Sequence, residues 1–205
     1  MATVSTLITS ARYDLNDTGS TDYTDAELLD YLNRNVYFLD LSLSKHKSDF
    51  THNTETATTL ADGDDSVAAP SGLINLRSLW IDDDLIDKKS IDYVYQRRKY
   101  ISGSTGKPCY CALQNANIIF DYEADDDYTP TIHYDKMTGD LESANNMPYQ
   151  DLFNQLIRQG VVLMAKNRNE YDVSGDAAIQ DFIEQGAFQV IISRRHTPVR
   201  YKGGF

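Results

Sequence analysis

Tyr149 to Arg195 constrains this chain more than any other stretch, because it reads as two long amphipathic helices in series. In the first, Leu152, Phe153, Leu156, Ile157, Gly160, Leu163 and Met164 recur at three- and four-residue steps. In the second, Ile179, Phe182, Ile183, Gly186, Val190 and Ile191 do the same. That spacing gathers apolar groups on one stripe of an α-helix, and a stripe must be covered by something. Pro148 suits the first turn of the first helix, where a missing N–H costs nothing. The polar link Asn167 to Ser174 ends on Ser174, an N-cap for the second helix. Beyond Arg195, Pro198 and the paired Gly203 and Gly204 argue against further helix and leave an extended tail.

The start of the chain offers the cover. Val4, Leu7, Ile8, Ala11 and Leu15 share a stripe, and Asn16 to Ser20 reads as a turn. Thr24-Asp25-Ala26-Glu27 is a capping box, with Tyr23 and Leu28 placed for a hydrophobic staple. Leu28, Leu32, Val36, Leu39 and Leu43 carry the stripe on to Lys45 and Lys47, where cations suit the helix dipole.

From about Ser48 the period changes. Thr51 to Thr59 is rich in β-formers, Ser66 to Ala69 is a short extended piece, and Leu73 to Ile81 is a strongly apolar strand holding the single tryptophan, Trp80. Asp82 to Asp84 marks a turn, and Ser90 to Ile101 favours a short helix capped by Ser90 over a strand. Cys109 to Leu113, Asn117 to Tyr122 and Thr129 to Asp135 read as strands, the last two forming a hairpin about Glu123 to Asp127. The fold expected is α+β and mainly α. N- and C-terminal helix pairs pack as a bundle, with a β-rich insertion in the middle. One domain, 1–205, would comprise a helix pair (1–47), the insertion (48–146), a second helix pair (147–195) and a tail (196–205).

Charge narrows the function. A net charge of −12 argues against tight nucleic-acid binding, which needs Lys and Arg to neutralise phosphates. Acid gathers in loops (Asp62, Asp64, Asp65; Asp82 to Asp84; Asp125 to Asp127), and base gathers at the end (Arg194, Arg195, Arg200, Lys202). No apolar run approaches the roughly 18–20 residues of a membrane span, and no signal-peptide pattern opens the chain. Cys109 and Cys111, one residue apart on a strand, have poor geometry for a disulfide and are expected free.

Catalytic patterns fail on spacing. Ser102 to Lys107 resembles a phosphate loop, but Ile101 stands where Gly is needed and Pro108 where Ser or Thr is needed. The Asp clusters lack the EF-hand alternation, and His46, His52, His133 and His196 are scattered. Cys109-x-Cys111 is not a zinc knuckle. No catalytic residue, metal ligand or cofactor is therefore assigned. The 14 tyrosines fit either a half-buried sheet or a contact surface. In the tail, Val199, Tyr201 and Phe205 alternate with Arg200 and Lys202, a pattern suited to augmenting a sheet edge or filling a groove.

The order of these signals resembles the head–tail adaptor, or connector, proteins of tailed bacteriophages. The pieces are Ser5-Thr6-Leu7-Ile8 with Leu15-Asn16-Asp17, then Tyr23-Thr24-Asp25-Ala26-Glu27-Leu28-Leu29, then Val67-Ala68-Ala69-Pro70 before the Leu73–Ile81 strand. Gly106-Lys107-Pro108 before a strand, the expected hairpin at Asn117–Tyr134 and Met147-Pro148-Tyr149 opening a long helix complete the series. The resemblance implies a non-enzymatic virion protein. It would form a ring of twelve subunits under the portal, extend the DNA channel and provide a platform for the next tail or nozzle protein. Its partners would be the portal, neighbouring copies and that tail protein, with DNA passing unbound and no membrane involved. By position, the portal-binding segment would be Arg194, Arg195, His196, Pro198, Val199, Arg200, Tyr201, Lys202 and Phe205. Asp125 to Asp127 would be an acidic loop facing the channel. A tail-completion ring that does not touch the portal is the alternative, and a small hydrolase using acidic residues a more distant one.

Overall fold

The computed structural model describes residues 2–56, 58–101, 104–149, 151–169 and 173–195. It is a mixed α+β protein with two compact units. One is built from Met1–Phe50 together with the chain from Met137 on, the other from Thr51–Lys136.

The helical unit takes its elements from both sides of the β unit in sequence. Helix α1 spans Val4–Leu15 and α2 spans Asp25–Lys45. Helix α4 spans Asp151–Lys166 and α5 spans Val173–Arg195. The capping box at Thr24 and Glu27 forms as the sequence requires. Leu28, Leu32, Val36, Leu39 and Leu43 are all buried, each contributing roughly 1.5–3 kcal/mol. They share one core with Val4 and Ile8 of α1, Phe153 and Ile157 of α4, and Ile183 and Ala187 of α5. Helix α2 packs on both α4 and α5, and α1 packs on α4.

Close approach depends on two glycines. A Cβ on Gly160 would lie 2.0 Å from Asn35 Oδ1, and one on Gly186 would lie 2.4 Å from Leu156 Cδ1. The turn between α1 and α2 winds around Asp17, whose carboxylate accepts from the backbone N–H groups of Thr21, Asp22 and Tyr23 and from Arg12 Nη1 at 2.8 Å. Burial pushes the Asp17 pKa up, but those N–H groups and the Arg12 charge pull harder and hold it below the usual carboxylate range.

The segment 137–149 is laced to the helices rather than draped over them. Ser143 and Asn145 carbonyls accept from the Ser5 and Val4 N–H groups, which the first turn of α1 leaves unpaired. Asn33 of α2 pairs with both backbone groups of Leu141. Asp40, fully buried, accepts from the Thr138 N–H at 2.7 Å, the Thr138 hydroxyl and the Tyr149 hydroxyl. Burial outweighs the Thr138 bonds and pushes its pKa up to about 6.

Three details of the helical reading are corrected. Pro148 precedes α4 instead of opening it, because Tyr149 turns into the core to reach Asp40 and the helix starts at Asp151. Ser174 lies inside α5, which is entered at Val173, so it is not the N-cap. Leu163 sits on the solvent side of α4.

The β unit is one seven-stranded sheet. Its strands are β1 (His52–Glu55), β2 (Ser66–Ala68), β3 (Leu73–Ile81), β4 (Asp84–Lys88), β5 (Tyr110–Gln114), β6 (Asn117–Phe120) and β7 (Thr131–Lys136). Their order across the sheet is β1-β7-β3-β4-β5-β6-β2. Every pairing is antiparallel except β4 with β5, which α3 (Ile91–Tyr100) connects. Leu79, Ile81, Ile86, Phe120, Ile132 and Tyr134 fill one core. On the other face, Val94 of α3 covers Ala112 and Ile119.

The expected hairpin between Asn117–Tyr122 and Thr129–Asp135 does not form. β6 pairs with β5 and β2, and β7 with β3 and β1. Gln114 and Asn117 pair across a two-residue turn with Asn115 at φ 53°, and that short closure favours β5 as the partner of β6. The acidic segment 123–127 is strapped instead to residues 60–64, through the Leu60–Tyr128 bridge, Gly63 N–H to Ala124 O and Ala124 N–H to Asp64 O.

Candidate functional site

Helix α5 carries the proposed contact segment. Ile179, Ile183, Ala187 and Ile191 bury one stripe of it, Gly186 lets it close on Leu156, and Glu184 pairs with Lys45 of α2. This anchoring runs nearly to the helix end at Arg195. The side chains of Arg194 and Arg195, and all of His196, Pro198, Val199, Arg200, Tyr201, Lys202 and Phe205, lie outside the described residues.

The other chemistry-bearing residues occupy structural places. Lys107, from the loop that mimics a phosphate site, lies 2.7 Å from Asp84 and 3.5 Å from Asp82. His133 Nδ1 bonds the Thr54 hydroxyl, and its ring packs against His52. The His46 ring lies against Phe188. Both cysteines are free; Cys109 is exposed, and burial pushes the Cys111 thiol up to about 12. Among the described residues no group of three or more His, Cys, Asp or Glu could hold a metal ion, and no helix is long and apolar enough to cross a membrane.

The acidic loops crowd together. Asp127 Oδ1 accepts from the Asp62 N–H, and Tyr128 donates to Asp125 at 2.7 Å. That hydrogen bond first, then burial and the charges of Asp125, Asp126 and Asp82, push the Tyr128 pKa up to about 12.

The tyrosines divide between core and surface. Tyr134 is core, whereas Tyr93, Tyr95 and Tyr100 of α3 are exposed. Two of these have partners on the β unit. Tyr93 meets Tyr110 edge-on at 5.2 Å, and Tyr95 donates to Gln114 with Arg98 over its ring. Sequence reading missed a second exposed pair, Trp80 and Leu85, which face each other across β3 and β4. The local alternation at the end of β3 separates them: Leu79 and Ile81 point to the core, so Trp80 between them cannot.

The helical unit is closed by both halves of the chain, and the β unit leaves aromatic side chains exposed on α3 and β3. A family model described as SU10 adaptor protein matches residues 2–201. The chain therefore belongs to this family of phage head–tail adaptors and is a virion component. No curated protein matches the sequence.

Proposed function

We propose that this chain is a non-enzymatic ring subunit beneath the phage portal, probed first by its stoichiometry there. Family membership across residues 2–201 is the observation that carries the reading. Twelve copies would surround and extend the DNA channel and offer a platform for the next tail or nozzle protein. The four long helices, drawn from both sides of the β unit and sharing one core, support a bundle with a β-rich insertion. Arg194 to Phe205 would dock on the portal, with cations and alternating large apolar groups as its contacts. Ordering such a tail costs roughly 1–2 kcal/mol per residue, and many copies around a ring offset that cost. The crowded carboxylates of Asp125 to Asp127 suit a channel lining that DNA slides past, and a net charge of −12 favours passage over binding.

Native mass spectrometry of the chain with its cognate portal protein tests this reading. One adaptor per portal subunit is expected. Deleting Arg194 to Phe205 should abolish that complex and leave the melting transition nearly unchanged. A chain that stays monomeric beside the portal refutes it.

A further inference from the structure

We propose that residues 137–149 are a strap latched at both ends by one buried side chain, Asp40 of α2, and that the latch loosens when Asp40 ionises. Asp40 Oδ2 accepts from the Thr138 N–H at 2.7 Å, and its Oδ1 accepts from the Thr138 hydroxyl at 3.2 Å and from the Tyr149 hydroxyl. Thr138 stands at the start of the strap and Tyr149 at its end, so one carboxylate holds both. Between them Leu141 is pinned by Asn33, and residues 142–146 are exposed. Latch and strap lie within the helical unit.

The strap completes the first turn of α1. The Asn145 and Ser143 carbonyls accept from the Val4 and Ser5 N–H groups, the Met147 N–H donates to the Ala2 carbonyl, and Thr3 bridges to Asn146. Opening the strap therefore unseats the start of α1. The α2 stripe keeps its cover from α4 and α5, so this opening is smaller than unfolding of the unit.

The groups around Asp40 make the latch responsive. Thr138 and the Tyr149 phenol face it, and Phe153 of α4 packs edge-on against Tyr149. On α2, the residues one turn away are Val36, Tyr37, Leu43 and Ser44. The acids of the strap, Asp140 and Glu142, are exposed, and no ionised side chain is among the groups that shift Asp40. Hydrogen-bond donors without a cation leave the burial cost of a charged carboxylate uncompensated. The closed strap accordingly raises the Asp40 pKa from 3.8 to about 6, and opening it to water returns it toward 3.8. The closed state holds a proton that the open state releases. The latch is therefore tightest below pH ~4, weakens as pH rises through 6 and stays weak above. A difference of this size is roughly a hundredfold in the opening equilibrium. Asn33 does not titrate, so its hold on Leu141 is the same throughout.

Amide hydrogen exchange of the full chain from pH ~4 to ~8, corrected for the intrinsic pH dependence of exchange, tests the proposal. The amides of Val4, Ser5, Thr138 and Leu141 report the strap, and those of Val36 and Leu39 report unfolding of the unit. In the parent, the strap amides should exchange at least about tenfold faster than those of Val36 and Leu39. Their opening should increase roughly a hundredfold between pH ~4 and ~7. Asp40→Asn should remove that increase, and Asn33→Ala should speed strap exchange at every pH with the increase intact. Strap amides as protected as Leu39 in the parent would mean that no separate opening exists, which overturns the proposal. So would a parent strap that opens equally at both ends of the pH range, whether or not the variants fold. An increase that survives Asp40→Asn assigns the response to another group and overturns it as well.

Discussion

Replacing Gly160 by alanine sets two effects against each other. Alanine gains about 1 kcal/mol of helix propensity over glycine. The new methyl, however, would stand 2.0 Å from Asn35 Oδ1, 2.7 Å from its Cγ and 3.1 Å from Ile183 Cδ1. Asn35 is fully buried and held by its Nδ2 donating to the Tyr31 carbonyl at 2.7 Å. Its Oδ1 has no hydrogen-bond partner among the described residues, so there is no polar pocket for it to move into. Overpacking costs about 1–3 kcal/mol, and breaking a buried amide bond costs about 1–3 kcal/mol more. We expect Gly160→Ala to destabilise the helical unit by about 2–4 kcal/mol net. The thermal midpoint, followed by far-ultraviolet circular dichroism, should fall by roughly 4–16 °C at about 2–4 °C per kcal/mol. In the double variant with Asn35→Ala the methyl enters the space the amide vacates. The two changes should then be non-additive by at least about 1.5 kcal/mol. A Gly160→Ala protein as stable as the parent, or strictly additive changes, would refute the packing argument.

Three further outcomes are expected. Asp40 has its folded pKa raised from 3.8 to about 6, so its contribution is fully present below pH ~4 and is lost as pH rises through 6. That amounts to about 3 kcal/mol, and urea midpoints of Asp40→Asn should not show the parent's loss over this window. Asp82 and Asp83 occupy the β3–β4 turn at φ 48° and 68°, the geometry of a type I′ turn. Asp83→Gly should therefore raise stability by about 1 kcal/mol in the same assay, and a lower midpoint would count against the turn assignment. Ellman's reagent should titrate one thiol, Cys109, in the native chain and two after unfolding. A native count of two would mean that Cys111 is not sealed in the β core.

What could be read in advance was local. The capping box at Thr24 depends on four consecutive residues, and the stripe from Leu28 to Leu43 on helical spacing alone, so both appear as written. The short helix at Ile91–Tyr100 followed from its Ser90 cap. Partner choice among strands was not legible, because pairing and register are decided by turns and by neighbours far away in sequence. Nor was there any signal that Asn35 and Asp40, polar residues beside the α2 stripe, would be buried; their cover comes from residues more than ninety positions on. For the contact surface, sequence marked tyrosines as a group, and only their places on α3 and β7 separated surface from core.

The interleaving of the helical unit also sets an order of events on the ribosome. Helices α1 and α2 emerge first, yet the carbonyls that complete the first turn of α1 and the side chains that cover the α2 stripe belong to residues beyond Met137. At about 5–20 residues per second, that stripe is without its cover for several seconds while Thr51–Lys136 is made. The β segment, complete in itself, is the part free to close during synthesis, and the helices must be kept from other apolar surfaces until translation ends.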